Sequence, residues 1–133
     1  MSGSGAVVHA LTLGPFQTNC YVVAEEGAAD CFLIDASFGG ESIVARIRSE
    51  RLTPRALVFT HAHIDHIAGA NAIRRAYPNL PLWIHERETE WLIDSDRNLS
   101  ALGGMPVTAP PHDRALVDGD QLDLPGGPWT VLH

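Results

Sequence analysis

The chain carries the run His61-Ala62-His63-Ile64-Asp65-His66, which follows the apolar segment Leu57-Val58-Phe59 after the single residue Thr60. The run gathers three imidazoles and one carboxylate, which are side chains that bind zinc and related divalent metals. A shuffled chain of this composition would contain such a pattern roughly once in a thousand cases. The run therefore predicts a metal centre in which His61, His63, Asp65 and His66 are the ligands.

The position of the run supports this prediction. The apolar segment reads as a short buried strand, and ligands in an α/β sheet bind at the carboxyl ends of strands. His61 and His63 are two residues apart, so in an extended backbone both rings point to the same side. Asp65 and His66 follow as the chain turns into a helix, which can place them at an adjacent position. We therefore expect one or two bound metal ions.

Zinc is the expected metal, with iron or manganese as alternatives. Two ions about 3.5–4 Å apart can clamp the attacking and leaving oxygens of a hydrolysis. A water bound to zinc has a pKa lowered to about 7, so that hydroxide is available without a strong base. The motif thus favours a metal-dependent hydrolase.

Length and composition restrict the class of protein and its partners. The chain has 133 residues, which suits a single domain, and a formal net charge of −7. All nine basic residues are Arg, and they are not clustered enough to predict nucleic-acid binding. No apolar stretch is long enough to predict a membrane span, and residues 1–5 read as a flexible leader without a secretory signal. With only Cys20 and Cys31, no disulfide framework is expected, and the prediction is a cytoplasmic protein.

Hydrophobic periodicity and turn residues predict an α/β fold. The run of alternating elements continues over residues 6–133 without a linker of domain-separating length. Three acidic residues of the third helix, Glu86, Glu88 and Glu90, are expected on its exposed side. The predicted strands are 7–13, 19–24, 31–34, 56–60, 82–85 and a terminal hairpin of 121–124 with 129–132; the predicted helices are 41–51, 67–77 and 86–94; a long loop is predicted at 96–111.

The motifs resemble those of metallo-β-lactamase-fold hydrolases, in particular the glyoxalase II-like (hydroxyacylglutathione hydrolase-like) branch. The segment Leu57 to Gly69 is similar to the signature of that family, which is highly specific. The opening Gly14 to Val23 and the strand Phe32 to Asp35 are similar to further family landmarks. The resemblance covers essentially the whole chain. It implies a four-layer αβ/βα fold, of which this chain holds mainly the first sheet and its helices.

The resemblance also implies roles for individual residues. His61 and His63 would bind a first metal ion, and Asp65 and His66 a second one. Asp65 would also act in catalysis by handling a proton of the attacking hydroxide, and Asp35 would brace the metal loop. The implied substrate is a small thioester or related ester. A persulfide dioxygenase with iron shares the signature and is a possible alternative, whereas a β-lactam hydrolase is less expected.

The resemblance finally implies that the domain is incomplete at its C-terminus. His133 stands just before the place where the family continues into a Thr-Pro-Gly-His segment, and further ligands would follow. We therefore expect weak metal binding and little hydrolysis by these 133 residues alone. The alternative to an enzyme is a non-catalytic metal-binding half-domain or fragment, which would need a complementing C-terminal half or a homo-oligomer.

Overall fold

The structure is a computed structural model that describes residues 6–95, 97–98 and 108–131. The predicted leader at residues 1–5, most of the predicted loop at 96–111 and the terminal His133 lie outside the described residues. Within them, the predicted α/β fold is confirmed.

A six-stranded mixed sheet forms the centre of the structure, in the order β1-β2-β3-β4-β5-β6. The first three strands are antiparallel to one another, and β3 to β6 run parallel. The five predicted strands of this sheet are present, whereas the three-residue strand β6 was not predicted from the sequence. The strands are β1 (Ala6–Leu13), β2 (Thr18–Glu25), β3 (Asp30–Ile34), β4 (Thr53–Val58), β5 (Leu82–His85) and β6 (Arg114–Leu116).

Helices cover one face of the sheet, and a small hairpin lies against the other. On the first face, α1 and α3 contact each other and enclose an apolar cluster that includes Leu33, Leu57 and Ile84. On the second face, Val23 and Val58 belong to a separate cluster with residues of the predicted terminal hairpin. These elements are α1 (Gly40–Ser49), α2 (Ile64–Ile67), α3 (Ala70–Ala76), a 3₁₀ helix (Glu86–Leu92), β7 (Gln121–Leu122) and β8 (Trp129–Thr130).

Within the described residues, no helix has both the length and the apolar character that crossing a bilayer requires.

The predicted helix over residues 67–77 is confirmed only for residues 70–76, which form α3; Ile67 instead ends the separate short helix α2, and the two helices are divided at Gly69. The N–H of Gly69 donates a hydrogen bond to the carbonyl oxygen of Ala36 (2.8 Å). Gly69 also lies directly against the backbone of Gly40 at the start of α1. Since this tertiary contact uses the backbone of Gly69, a single continuous helix gives way to two short ones.

Strand β4 begins at Thr53 rather than at the predicted Ala56, although Pro54 lacks the N–H that a strand residue donates. The register between β3 and β4 pairs Cys31 with Pro54 and then Phe32 with Ala56, so that one residue is left over. This bulge accommodates the proline within the strand.

Both cysteines are free and buried, as expected for thiols that remain reduced. Burial, and secondarily the nearby Asp30 carboxylate, raises the pKa of the Cys31 thiol to about 12. At pH 8 a thiol with that pKa is thiolate in only about one molecule in ten thousand. We therefore expect Ellman's reagent to leave Cys31 unmodified in the folded chain and to modify it rapidly in urea. Stoichiometric modification without denaturant would contradict this prediction.

Candidate metal centre

The candidate site lies at one edge of the sheet, where three parallel strands end. Asp35 follows β3, the segment 60–66 follows β4, and the 3₁₀ helix follows β5. Segment 60–66, which we call the metal loop, contains all four predicted ligands. Because carboxyl ends of parallel strands meet at the same edge, residues distant in sequence come together there.

Three of the four predicted ligands converge. One ligand atom each from His61, Asp65 and His66 lies within 4.8 Å of the others. The rings of His61 and His66 have their centroids 3.8 Å apart. Two imidazole nitrogens and a carboxylate oxygen form a donor set that suits zinc and other first-row divalent metals. The residues present therefore fit a metal ion.

His66 is oriented by a buried carboxylate. Its Nδ1 lies 2.8 Å from Oδ2 of Asp35, which is only 3% exposed. A carboxylate only accepts hydrogen bonds, so Nδ1 carries the proton and Nε2 is directed into the site. Nε2 lies 3.2 Å from Oδ2 of Asp65. A carboxylate behind a histidine in this way fixes the ring and makes the other nitrogen a better metal ligand.

His61 is oriented through the hydroxyl of Thr60. That hydroxyl donates its one proton to Oδ2 of Asp35 (2.6 Å) and lies 3.1 Å from Nδ1 of His61. The hydroxyl must then accept the hydrogen bond from Nδ1, which leaves Nε2 of His61 unprotonated in the neutral ring. Asp35 therefore sets the ligand nitrogen of both histidines, one directly and one through Thr60.

Asp65 is held from β2. The hydroxyl of Thr18, which is 6% exposed, donates a hydrogen bond to Oδ2 of Asp65 (3.0 Å). Within the described residues, no Arg forms an ion pair with Asp65 or Asp35, and His66 is their only ion-pair partner. Two carboxylates paired only with an imidazole leave negative charge that favours a bound cation.

His63 lies beside the three converging ligands rather than among them. Its ring centroid is 4.7 Å from that of His61, with the planes nearly perpendicular, and 5.6 Å from the Trp91 ring. The sequence prediction that His63 is a ligand remains a prediction.

The backbone of the metal loop is held at every second residue. The N–H of Thr60 donates to Oδ1 of Asp35 (2.7 Å), and the N–H of Ala62 donates to Oε1 of Glu88 (2.9 Å). The N–H of Ile64 donates to the carbonyl oxygen of Asn98 (2.9 Å). His61 and His63 lie between these anchored residues, so the backbone on both sides of each imidazole is fixed by hydrogen bonds that do not use the imidazoles.

The prediction that Glu86, Glu88 and Glu90 share an exposed helix side is wrong for Glu88, which is 8% exposed. Residues two apart do not share a side of a helix, and in this 3₁₀ helix Glu88 faces the metal loop. Glu86 and Glu90 are exposed, and Glu88 points inward. Sequence analysis also gave no role to Thr18. The contacts of Glu88 and Thr18 span 26 and 47 residues, so no local spacing pattern could have identified them.

The pKa values of the two converging histidines shift in opposite directions. Burial lowers the pKa of His61, and the neighbouring His66 lowers it further, against the opposing charge of Asp35. Burial also acts to lower the pKa of His66, but the hydrogen bond and charge of Asp35, followed by the charges of Asp65 and Glu88, outweigh burial and raise it. Of these two imidazoles, His66 is thus the one that holds a proton more readily when no metal ion is bound.

Known proteins with similar sequences include a probable metallo-hydrolase and a hydroxyacylglutathione hydrolase. The chain is 36% identical over 123 residues to the "Probable metallo-hydrolase YqgX" of Bacillus subtilis, covering 91% of this chain and 56% of that protein. It is 26% identical over 120 residues to the "Hydroxyacylglutathione hydrolase GloC" of Haemophilus influenzae, covering 89% of this chain and 56% of that protein. The chain therefore spans little more than half the length of these relatives.

Solved structures with the same fold include two of 30% identity or more. The BLEG-1 B3 metallo-beta-lactamase matches with a TM-score of 0.82 and 33% identity, over 90% of this chain and 57% of that one. TTHA1623 in a di-iron-bound form matches with a TM-score of 0.72 and 30% identity, over 86% of this chain and 57% of that one.

The family model of the metallo-beta-lactamase superfamily matches residues 13–133. That range includes the whole metal loop, Asp35, Thr18 and Glu88. By sequence, by fold and by the chemistry of its converging ligands, the chain belongs to the metallo-beta-lactamase superfamily.

Proposed function

We propose that this chain forms the N-terminal part of a metal-dependent hydrolase of thioesters or related esters. The observation that carries the proposal is the convergence of His61, Asp65 and His66 on one point, with both imidazoles held by hydrogen bonds on the side away from it. A bound metal ion would be coordinated by the two imidazole nitrogens and the carboxylate oxygen that this arrangement brings together.

A thioester substrate is favoured by the relative from Haemophilus influenzae, which is a hydroxyacylglutathione hydrolase. The similarity of the segment Gly14 to Val23 to the opening of the glyoxalase II-like branch favours it as well. We further propose a cytoplasmic location, since free buried cysteines are compatible with a reducing compartment.

The side chains have distinct roles in this proposal. When bound, a divalent metal ion lowers the pKa of a water molecule towards neutrality and so supplies the nucleophile of the hydrolysis. By the family resemblance, His61 and His63 would hold one ion, and Asp65 and His66 would hold a second. The Asp65 carboxylate, kept in place by Thr18, accepts a proton from the attacking water. Asp35 fixes the two imidazoles and does not touch the substrate.

The metal is proposed to be zinc, with iron as the main alternative because the similar TTHA1623 structure is di-iron-bound. A β-lactam is the second candidate substrate, because BLEG-1, at 33% identity, is a B3 metallo-beta-lactamase. A persulfide dioxygenase activity would also agree with iron at the site. These candidates differ in the bond that is broken and can be separated by assay.

Metal content and substrate class test the proposal together. We expect these residues to bind zinc, iron or manganese weakly after dialysis against each ion, as elemental analysis would measure, and His61→Ala to lower the affinity for that metal at least tenfold. The exposed His112, outside the site, provides a matched control as His112→Ala. Absence of bound metal in the parent chain, even after dialysis against each ion, would contradict the proposed centre.

Activity is best measured on a protein that includes the length present in the relatives. A hydroxyacyl-glutathione thioester, a chromogenic cephalosporin and glutathione persulfide with an oxygen electrode are the three substrates. We expect turnover of the thioester, abolished by Asp65→Asn. Faster turnover of the cephalosporin, or oxygen consumption with the persulfide, would replace the proposed substrate by the corresponding alternative.

A further inference from the structure

We propose that Glu88 is a positioning residue of the metal centre, which fixes the backbone between His61 and His63 and adds negative charge behind the ligands. The inference rests on the proposed function and deepens it, because it assigns a residue outside the H-x-H-x-D-H motif to the metal centre.

The contact of Glu88 is made to the residue between two predicted ligands. Its Oε1 accepts a hydrogen bond from the N–H of Ala62 at 2.9 Å. Ala62 is fully buried, and Glu88 is 8% exposed, so water cannot easily replace this bond. A bond at the peptide between His61 and His63 restricts both side chains at once, because both project from the backbone that it anchors.

The carboxylate also has an electrostatic effect on the site. The negative charge of Glu88 acts on the imidazoles of both His61 and His66. Charge of that sign, held in a mostly buried position, favours a cation bound by those imidazoles. An amide in place of the carboxylate would keep the size and an acceptor oxygen but would lose this charge.

The neighbouring Glu86 is a natural control for this assignment. It lies two residues away in the same 3₁₀ helix and is exposed. Glu86→Gln and Glu88→Gln therefore make the same chemical change within the same 3₁₀ helix. Only the second change is made behind the metal loop.

We expect Glu88→Gln to weaken Zn²⁺ binding about tenfold in chelator competition, the lower end of the effect of removing such supporting residues. The visible absorption of the Co²⁺-loaded chain should change, since it reports ligand geometry, and amide exchange of Ala62 in the metal-free chain should accelerate. Glu86→Gln should leave all three measurements unchanged. Circular dichroism establishes that each variant is folded.

Should Glu88→Gln not fold, Glu88→Asp serves as the second variant, because it keeps the charge and shortens the reach to Ala62. We expect it to change the Co²⁺ absorption and to accelerate Ala62 exchange. Zn²⁺ affinity within twofold of the parent and an unchanged Co²⁺ spectrum would overturn the inference and leave the proposed function intact. A parent chain that binds neither ion would overturn the proposed centre, and the role of Glu88 in it.

Discussion

Asp35→Asn is expected to destabilise the metal-free chain by about 2–3 kcal/mol, as the loss of hydrogen bonds to a buried charged group does. Asp35 accepts three hydrogen bonds, from the N–H and hydroxyl of Thr60 and from Nδ1 of His66. An asparagine has one acceptor oxygen and presents its NH₂ to the remaining donors. The backbone is not the cause of the cost, since Asp35 has a positive φ of 61° and asparagine adopts that conformation readily.

The same substitution should reduce affinity for Zn²⁺ by about 10–100-fold, because both His61 and His66 lose the group that sets their ligand nitrogens. Chelator competition at pH 7.5 measures this effect. Asp123→Asn is a matched control, since it makes the same change at an exposed position away from the site. Zn²⁺ affinity equal to that of the parent would contradict the assigned role of Asp35.

The destabilisation caused by Asp35→Asn should depend on pH, because it depends on the protonation of His66. Its pKa in the folded chain is raised above the ordinary value, because Asp35, Asp65 and Glu88 outweigh burial. The pair of protonated His66 and Asp35 therefore stabilises the fold fully below a pH of about 6.5 and loses that contribution as pH rises through the folded pKa. Urea unfolding with EDTA should show a larger loss for Asp35→Asn at pH 5.5 than at pH 8.5. An equal loss at both values would contradict this account.

The sequence predicted the parts of the site that are local in the chain. His61, Asp65 and His66 are recognisable because their spacing within six residues, directly after an apolar strand, is itself the signal. Asp35 entered only through resemblance to a family, since nothing in its own neighbourhood marks it. Its contacts with Thr60 and His66 exist because parallel strands β3 and β4 end side by side.

Glu88 shows why the remainder could not be predicted. Its burial depends on which side of the helix packs against the metal loop, which tertiary contacts decide and which the pattern of acidic residues does not reveal. The break between α2 and α3 has the same origin. The sequence around Gly69 suits a helix, and the contact that ends it comes from Ala36 and Gly40, far away in the chain.

Gly69→Ala is expected to destabilise the fold by about 3 kcal/mol or slightly more, at the upper end for an overpacked position. A Cβ at this residue would lie 2.2 Å from the carbonyl oxygen of Ser37 and 3.0 Å from the Cα of Gly40. Both neighbours are backbone atoms, which no side-chain rotation can move away. The φ of −89° at Gly69 suits alanine, so the cost is steric rather than conformational.

The substitution should also weaken metal binding, because the segment that it displaces begins at Asp35. Gly27→Ala separates the steric from the conformational loss of stability. A Cβ at Gly27 would meet nothing within 4 Å, but its φ of +79° costs an alanine about 1–2 kcal/mol. Urea unfolding of the metal-free chain should therefore rank Gly69→Ala as the more destabilising variant, and only Gly69→Ala should lower Zn²⁺ affinity. If Gly27→Ala were the more destabilising variant, the close approach of Gly69 to Ser37 and Gly40 would not cause the predicted steric loss of stability. Zn²⁺ affinity of Gly69→Ala equal to that of the parent would contradict the link from the α2–α3 break to the metal centre.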